Sequence, residues 1–218
     1  MVIETSSNFR EIAIGKIVPG VLYRSNHPIC NNKQVKEIVL AAQNAGIKTI
    51  INLSDNISSL QSNIAYCPWY KKMFDENKVI ALNVSMRFKI MDKMFLQKIK
   101  DAITFMIDHE PPYLIHCVAG IDRTGFYSIL LESFMGASFN EMVKDYMLSF
   151  VDKTEYSEND YKNGSLFMTN IFTKIKGGLF NQNDNPRLLA VKYLKEKVKV
   201  NDCLLLSLEK KLEGCNDF

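Results

Sequence analysis

The sequence of 218 residues lacks the features that mark several common classes of protein. It contains five cysteines and no Cys-x-x-Cys pair, a pattern that fits neither a disulfide framework nor a four-ligand zinc site. The formal net charge is only +3, which is far from the basic excess of a nucleic-acid-binding protein. A disulfide-rich secreted protein, a zinc finger and a DNA-coating protein are therefore excluded.

Targeting and membrane-spanning patterns are missing as well. Glu4 and Arg10 stand where a signal peptide would have a basic tip followed by an apolar stretch. No run approaches the roughly 18 uncharged apolar residues that a membrane-spanning helix needs. We therefore expect a cytoplasmic protein with reduced thiols and no membrane span.

Short apolar segments alternate with helical patterns in the first half of the chain. The apolar segments have the length of strands and lie at residues 21–24, 49–53, 79–84 and 113–117. Because they lack polar alternation, they predict a central, mostly parallel sheet of four to five strands flanked by helices. Only helical patterns follow. The sequence thus predicts an α/β fold as a single domain over residues 1–218, with an α-helical C-terminal part from about residue 151 to 218.

The pattern of the first helix also indicates where that helix begins and ends. Asn31 and Gln34 resemble a capping pair before an apolar repeat of period 3.6, and Gly46 stands where a C-terminal cap is expected. Both ends of the helix are therefore predicted from local sequence.

One stretch, HCVAGIDRTG at residues 116–125, combines residue types that bind and attack a phosphate group. It joins a predicted strand to a predicted helix, so its backbone N–H groups can converge on an anion at the positive end of the helix. Arg123 can bind two oxygens of that anion in a bidentate manner. These groups favour a thiolate at Cys117, the expected nucleophile, and the Thr124 hydroxyl can hydrogen-bond to the sulfur. This chemistry requires no metal or other cofactor.

The pattern HCxxGxxRT resembles the signature of the cysteine-dependent protein tyrosine phosphatase superfamily. Residues 8–25 resemble the NFRD…LYRS pattern of a bacterial and fungal branch, residues 45–53 its GI-K-T-I-x-D-L-R strand, and residues 145–149 its helix after the active site. The resemblance implies hydrolysis of phosphomonoesters through a phosphocysteine intermediate, by a tyrosine or dual-specificity phosphatase. The residues expected to form the phosphate site are His116 in a supporting role and Val118, Ala119, Gly120, Ile121, Asp122 and Arg123.

The general acid has more than one candidate. Asp122 lies in the loop immediately before Arg123, where the resembled branch carries its acid, although an Asp near a helix N-terminus is also stabilised by the helix dipole. Many superfamily members carry the acid some thirty residues before the cysteine, but residues 83–89 contain no carboxylate. Asp92 follows them and looks like the N-cap of the next helix. A remote or absent acid is the third possibility.

Two departures from the branch bear on the substrate. Residues 52–54 read Asn-Leu-Ser where the branch has Asp-Leu-Arg, and Ile121 stands where the branch often has a lysine associated with phosphoinositide headgroups. We expect a phosphorylated protein or a small phosphomonoester as the partner, and no nucleic acid. The alternatives are a phosphatase of phosphoinositides or inositol phosphates and a non-catalytic phosphate-binding protein. The oligomeric state is not predicted.

Several other side chains allow two interpretations. Arg24 could meet the edge of the site or support the fold, and His27 is expected to be an ordinary surface or loop residue. Trp69 and Tyr70 could form a wall for a phosphotyrosine ring or could anchor a loop. His116 is expected to hold loop groups in place rather than to act as a base.

Overall fold

The computed structural model describes residues 7–29, 33–85, 90–150, 158–181 and 183–215. Within these ranges a five-stranded sheet is flanked by α-helices, which confirms the predicted α/β fold. The strands are β1 (Arg10–Glu11), β2 (Leu22–Ser25), β3 (Thr49–Asn52), β4 (Val79–Ala81) and β5 (Tyr113–His116). Their order is β1-β2-β5-β3-β4; β1 is antiparallel to β2, and the other neighbours are parallel.

Nine α-helices lie in the same ranges: α1 (Lys33–Asn44), α2 (Ile57–Asn63), α3 (Pro68–Asp75), α4 (Lys93–Asp108), α5 (Asp122–Phe134), α6 (Phe139–Met147), α7 (Glu158–Lys176), α8 (Pro186–Tyr193) and α9 (Asp202–Leu212). The 3-10 turns Ile64–Tyr66 and Leu148–Phe150 follow α2 and α6, and a π-helical turn, Leu194–Val198, follows α8. In the part of the chain that the structure describes, no helix has both the length and the apolar character to cross a membrane.

The ends of the helices follow the capping rules. Gly46 has φ +66° after α1, a left-handed conformation that glycine adopts without a steric penalty, which confirms the predicted C-terminal cap. The predicted capping pair of Asn31 and Gln34 involves side chains outside those that the structure describes. At the start of α6, Ser138 Oγ accepts a hydrogen bond from Glu141 N, and Glu141 Oε2 accepts one from Ser138 N. This capping box fixes the helix that later supplies residues to the site.

The strands β3 and β5 are buried on both faces, as their apolar sequences predict. Leu114 faces one apolar cluster with α1 and α3, whereas Ile115 faces the larger cluster formed with α4, α5 and the C-terminal helices. Complete burial of such a side chain contributes about 1.5–3 kcal/mol. Helix α5 lies in the larger cluster and is buried from residue 124 to residue 134, so it is held in place from every side.

Some boundaries differ from the prediction made for them. The segment 79–84 was expected as one strand, but β4 ends at Ala81 because Asn83 has φ +44°, which is incompatible with a regular strand. The chain nevertheless remains beside β3, since Leu82 N donates to Asn52 O and Val84 N donates to Leu53 O.

The C-terminal helices pack against helices that flank the sheet: α8 contacts α5, and α9 contacts α4. A single domain over residues 1–218 stays a prediction.

The parallel register brings the carboxyl ends of three strands to one edge of the sheet. His116, the last residue of β5, pairs with Ser25 of β2 on one side and with Asn52 of β3 on the other. Because β5 lies between these strands, the loop that follows it is flanked by the residues that follow β2 and β3. This edge carries the candidate active site.

Candidate active site

The phosphate loop, residues 117–123, runs from the end of β5 into the first turn of α5. Cys117 is buried at its base, and Val118 is 61% exposed at its outer surface. Gly120 has φ +67°, and a Cβ atom there would lie 2.5 Å from the Ser25 carbonyl oxygen. A side chain at Gly120 would therefore combine backbone strain with a collision, so both the conformation and the close approach to β2 require glycine.

Three successive carbonyl groups of the phosphate loop accept hydrogen bonds from outside the loop. The pairs are His27 N to Val118 O at 3.2 Å, Asn8 Nδ2 to Ala119 O at 3.1 Å, and Arg24 Nη2 to Gly120 O at 2.9 Å. In a planar trans peptide the carbonyl and the following N–H point in opposite directions. The N–H groups of Ala119, Gly120 and Ile121 therefore point away from these donors, which leaves them available to an anion.

Arg123 occupies the first turn of α5 and is half-buried. Its Nη1 atom lies 3.5 Å from both Leu53 O and Val84 O, at the limit of hydrogen bonding, and its Nε atom is buried without a partner among the described residues. A guanidinium carries five N–H donors, so most of them remain for a ligand. The side chain is thus placed beside the loop with donors to spare.

The structure separates the two candidate acids by their surroundings. Asp122 is the first residue of α5 and is half-buried. It lies close to Tyr146, whose pKa is raised by burial and, to a smaller extent, by the charge of Asp122. Asp92 is exposed, and its Oδ1 atom accepts a hydrogen bond from Met94 N at 2.9 Å, which makes it the N-cap of α4. Only Asp122 is therefore part of the phosphate loop.

Thr124 is completely buried one residue after Arg123. Its hydroxyl oxygen has no hydrogen-bond partner among the residues that the structure describes, so the expected bond to the Cys117 sulfur is not formed here. The hydroxyl retains its donor beside the loop.

His116 takes part in a buried hydrogen-bond chain. Asn52 Nδ2 donates to the Tyr70 hydroxyl oxygen at 3.2 Å, and that hydroxyl lies 2.8 Å from His116 Nε2. This hydrogen bond joins the two side chains whichever ring nitrogen of His116 carries the proton. Burial, together with the neighbouring His27, holds the pKa of His116 well below its ordinary value. The ring is neutral and fixed, as expected for a supporting group, and Tyr70 anchors it rather than forming an open wall.

His27 and Asp55 form a second pair at the edge of the loop that the sequence interpretation missed. His27 Nε2 lies 2.6 Å from Asp55 Oδ2, and its Nδ1 accepts a hydrogen bond from Ile29 N, so both ring nitrogens are engaged. Burial by itself raises the pKa of Asp55, but hydrogen bonds from His27 and Asn52 outweigh it and bring the pKa to about 2. His27 lies in a loop, as expected, but it is not an ordinary surface residue, since its side chain is only 10% exposed.

Arg24 is the centre of a buried cluster of charges behind the loop. Its Nη1 atom lies 2.8 Å from Asp145 Oδ2, and Arg10 Nε lies 3.0 Å from Asp145 Oδ1. Both guanidinium groups also donate to Ser149 Oγ. Burial alone would raise the pKa of Asp145, but the two arginines hold it below its ordinary value. Because Arg24 also donates to Gly120 O, it both supports the fold and meets the site.

Glu132, on α5, belongs to the same cluster and carries no sequence signal of its own. It is completely buried. Burial and the neighbouring Asp145 carboxylate raise its pKa well above the ordinary value, which favours the neutral carboxylic acid. The sequence around residue 132 does not indicate this raised pKa, because the charged neighbours Arg10, Arg24 and Asp145 lie on β1, β2 and α6.

Metal binding finds no support in the described ranges. Within residues 7–29, 33–85, 90–150, 158–181 and 183–215, no three His, Cys, Asp or Glu side chains come together as a candidate metal site.

The phosphate loop thus places a cysteine and an arginine together between a parallel strand and a helix N-terminus, an arrangement that suits nucleophilic catalysis by a cysteine. The comparison with protein families agrees: the model of the Tyrosine phosphatase family matches residues 1–212. The chain belongs to the tyrosine phosphatase family, and it is a cysteine-dependent phosphatase. No curated protein is significantly similar to it.

Two solved structures are similar to the chain at low identity. One is the core catalytic domain of the PP-IP phosphatase SIW14 from S. cerevisiae in complex with citrate, with 17% identity, 79% of this chain and 92% of that chain covered, and a TM-score of 0.43. The other is TpbA from P. aeruginosa in complex with phosphotyrosine, with 13% identity, 87% and 98% of the chains covered, and a TM-score of 0.47.

Proposed function

We propose that the chain hydrolyses phosphomonoesters through a phosphocysteine intermediate and that its main substrates are phosphotyrosine residues in proteins. The observation that carries this proposal is the phosphate loop itself. Cys117 lies at its base, its carbonyl groups are bonded on the outside, and Arg123 stands in its last position with donors to spare. N–H donors and a guanidinium arranged in this way stabilise the charge on the phosphoryl oxygens during transfer.

The reaction takes two steps. First, the Cys117 thiolate attacks phosphorus, the bond from phosphorus to the ester oxygen breaks, and Asp122 gives its proton to the leaving oxygen. Then water attacks phosphorus, the bond from sulfur to phosphorus breaks, and the Asp122 carboxylate takes up the proton that the water loses. Inorganic phosphate leaves, and the thiolate and the carboxylic acid are restored.

Two further residues have supporting roles in this proposal. The buried Thr124 hydroxyl, which has no partner among the described residues, is assigned as a donor to the sulfur when it leaves phosphorus. His116, held by Tyr70, fixes the end of β5 immediately before the nucleophile. Neither residue exchanges protons with the substrate.

The side chains of the loop favour an aryl phosphate over a highly phosphorylated inositol. Val118, Ala119 and Ile121 are apolar, and Arg123 is the single cation in the loop. Arg10 and Arg24 are committed to Asp145. An inositol polyphosphate requires cations for its additional phosphates, whereas the 61% exposed Val118 offers a phenyl ring an apolar contact.

The proposal is tested by replacing the nucleophile. Cys117→Ser should abolish release of phosphate from phosphotyrosine peptides and p-nitrophenyl phosphate while the protein still binds inorganic phosphate. Cys203→Ser is the matched control, because this cysteine is exposed on α9, and it should retain full activity.

The substrate class is tested with the same proteins. Phosphate release from phosphotyrosine peptides should exceed that from inositol phosphates and phosphoinositides at equal concentration. The reverse order would show the inositol alternative. A wild-type protein that binds phosphate without turnover of any substrate would show a non-catalytic binding protein.

Because the thiolate must remain reduced, we also propose that the enzyme works in a reducing compartment such as the cytoplasm.

A further inference from the structure

Asn8 precedes the first strand, yet its side chain contacts the phosphate loop. Its Nδ2 atom donates to Ala119 O at 3.1 Å across 111 residues of chain. The residue is 8% exposed, and its φ of +49° lies in the left-handed region that Asn and Asp tolerate better than other side chains. The role of this hydrogen bond requires an explanation, because Asn8 is buried and has a strained backbone conformation.

The physical consequence of this bond is the orientation of one peptide group. The carbonyl of Ala119 and the N–H of Gly120 belong to the same planar unit, so fixing the first fixes the second. Glycine has the widest conformational freedom of any residue, so Gly120 does not by itself fix the orientation of the peptide on its N-terminal side. The neighbouring carbonyls have donors of their own in the His27 N–H and the Arg24 guanidinium.

We propose that Asn8 is a positioning residue, which holds the Gly120 N–H toward the phosphoryl group by its bond to Ala119 O. This inference rests on the proposed function, because it assigns to the loop the binding of phosphate. Asn8 does not touch the substrate; it acts through the peptide between Ala119 and Gly120. Asn8, near the start of the chain, thereby influences phosphoryl transfer at Cys117 without contacting the substrate.

The test compares two pairs of variants. Asn8→Gly keeps the left-handed backbone and removes the donor, and Asn8→Asp keeps the shape and replaces the donor by an acceptor. Asn77 has a similar φ of +56° at the opposite edge of the sheet, before β4, so Asn77→Gly and Asn77→Asp are matched controls. The readouts are kcat and KM for p-nitrophenyl phosphate, the inhibition constant and calorimetric affinity of inorganic phosphate, and the unfolding midpoint.

Both Asn8 variants should lower kcat/KM about fivefold, the usual value of one hydrogen bond, and should weaken phosphate affinity several-fold. The Asn77 variants should leave these constants at the wild-type values. A merely structural role would reduce the fraction of active molecules and so lower kcat, but it would leave KM and the phosphate constants of the remaining molecules unchanged. That result would overturn the inference, as would a loss confined to Asn8→Asp, which would indicate charge alone.

The outcomes also separate this inference from the proposed function. A wild-type protein that turns over no phosphate ester, but whose phosphate affinity falls in Asn8→Gly, would overturn the catalytic proposal and support the positioning role. If the wild-type protein is active but Asn8→Gly binds phosphate with the same affinity, the catalytic proposal is supported and the positioning role is overturned.

Discussion

The buried Glu132 gives the cluster behind the phosphate loop a stability that depends on pH. Its folded-state pKa is raised well above the ordinary value by burial and by Asp145, so the folded protein keeps a proton that the unfolded chain has lost above a pH of about 4.3. A raised pKa contributes stability that is fully present below the unfolded pKa and is lost as the pH rises toward the folded one. Glu132→Gln removes this titration and keeps the size of the side chain.

The expected magnitude follows from one proton. Above the unfolded pKa the unfolded state binds at most one proton fewer at this site, so the free energy of unfolding of the wild type falls relative to Glu132→Gln by up to about 1.4 kcal/mol per pH unit until the folded pKa is reached. The difference between the two proteins should therefore grow as the pH rises from 5 to 7, by no more than about 2.7 kcal/mol over these two units. Other titrating groups are common to both proteins and cancel in the comparison.

Urea unfolding at pH 5, 6 and 7, followed by circular dichroism, measures this difference. Glu37→Gln is the control for loss of a carboxylate without burial, because Glu37 is exposed on α1. A difference between Glu132→Gln and the wild type that stays constant from pH 5 to pH 7 would refute the raised pKa of Glu132.

Two further substitutions test the immediate surroundings of the nucleophile. Asp122→Asn should lower kcat for alkyl phosphates far more than for p-nitrophenyl phosphate, since a poor leaving group depends on the acid. If kcat falls equally for both kinds of substrate and the pH–rate profile is unaltered, Asp122 is not the acid. Tyr70→Phe removes the hydroxyl that is hydrogen-bonded to His116 and Asn52 and should cost about 1–3 kcal/mol in urea unfolding. The exposed Tyr66→Phe is its control.

The parts of the structure that could be predicted from sequence are those that depend on neighbours in the chain. The phosphate loop is a segment of seven residues that runs from a strand into a helix, so its residue types and spacing are sufficient to indicate an anion site. The strands β3 and β5 are recognisable because burial on both faces leaves an uninterrupted apolar run. By contrast, α2 buries only Leu60, and its polar sequence carries no periodic signal.

The contacts that could not be predicted depend on sheet order and register. Arg24 and Asp145 are 121 residues apart, and Arg10 and Asp145 are 135 residues apart, yet they form one cluster. His27 and Asp55 meet only because β2 and β3 lie on either side of β5. A charged or imidazole side chain considered by itself looks like a surface residue, since the sequence does not show which partner will neutralise it.

The segments that resemble other tyrosine phosphatases outside the signature converge on the phosphate loop. Asn8 holds Ala119 O, and Arg24 holds Gly120 O while it is itself held by Asp145 of α6. The signature loop therefore does not define its own shape: two of its carbonyls are fixed by the segment before β1 and by the end of β2. A loop of the same sequence without these donors would retain the nucleophile and Arg123 but would lose the fixed orientation of the N–H groups that phosphoryl transfer requires.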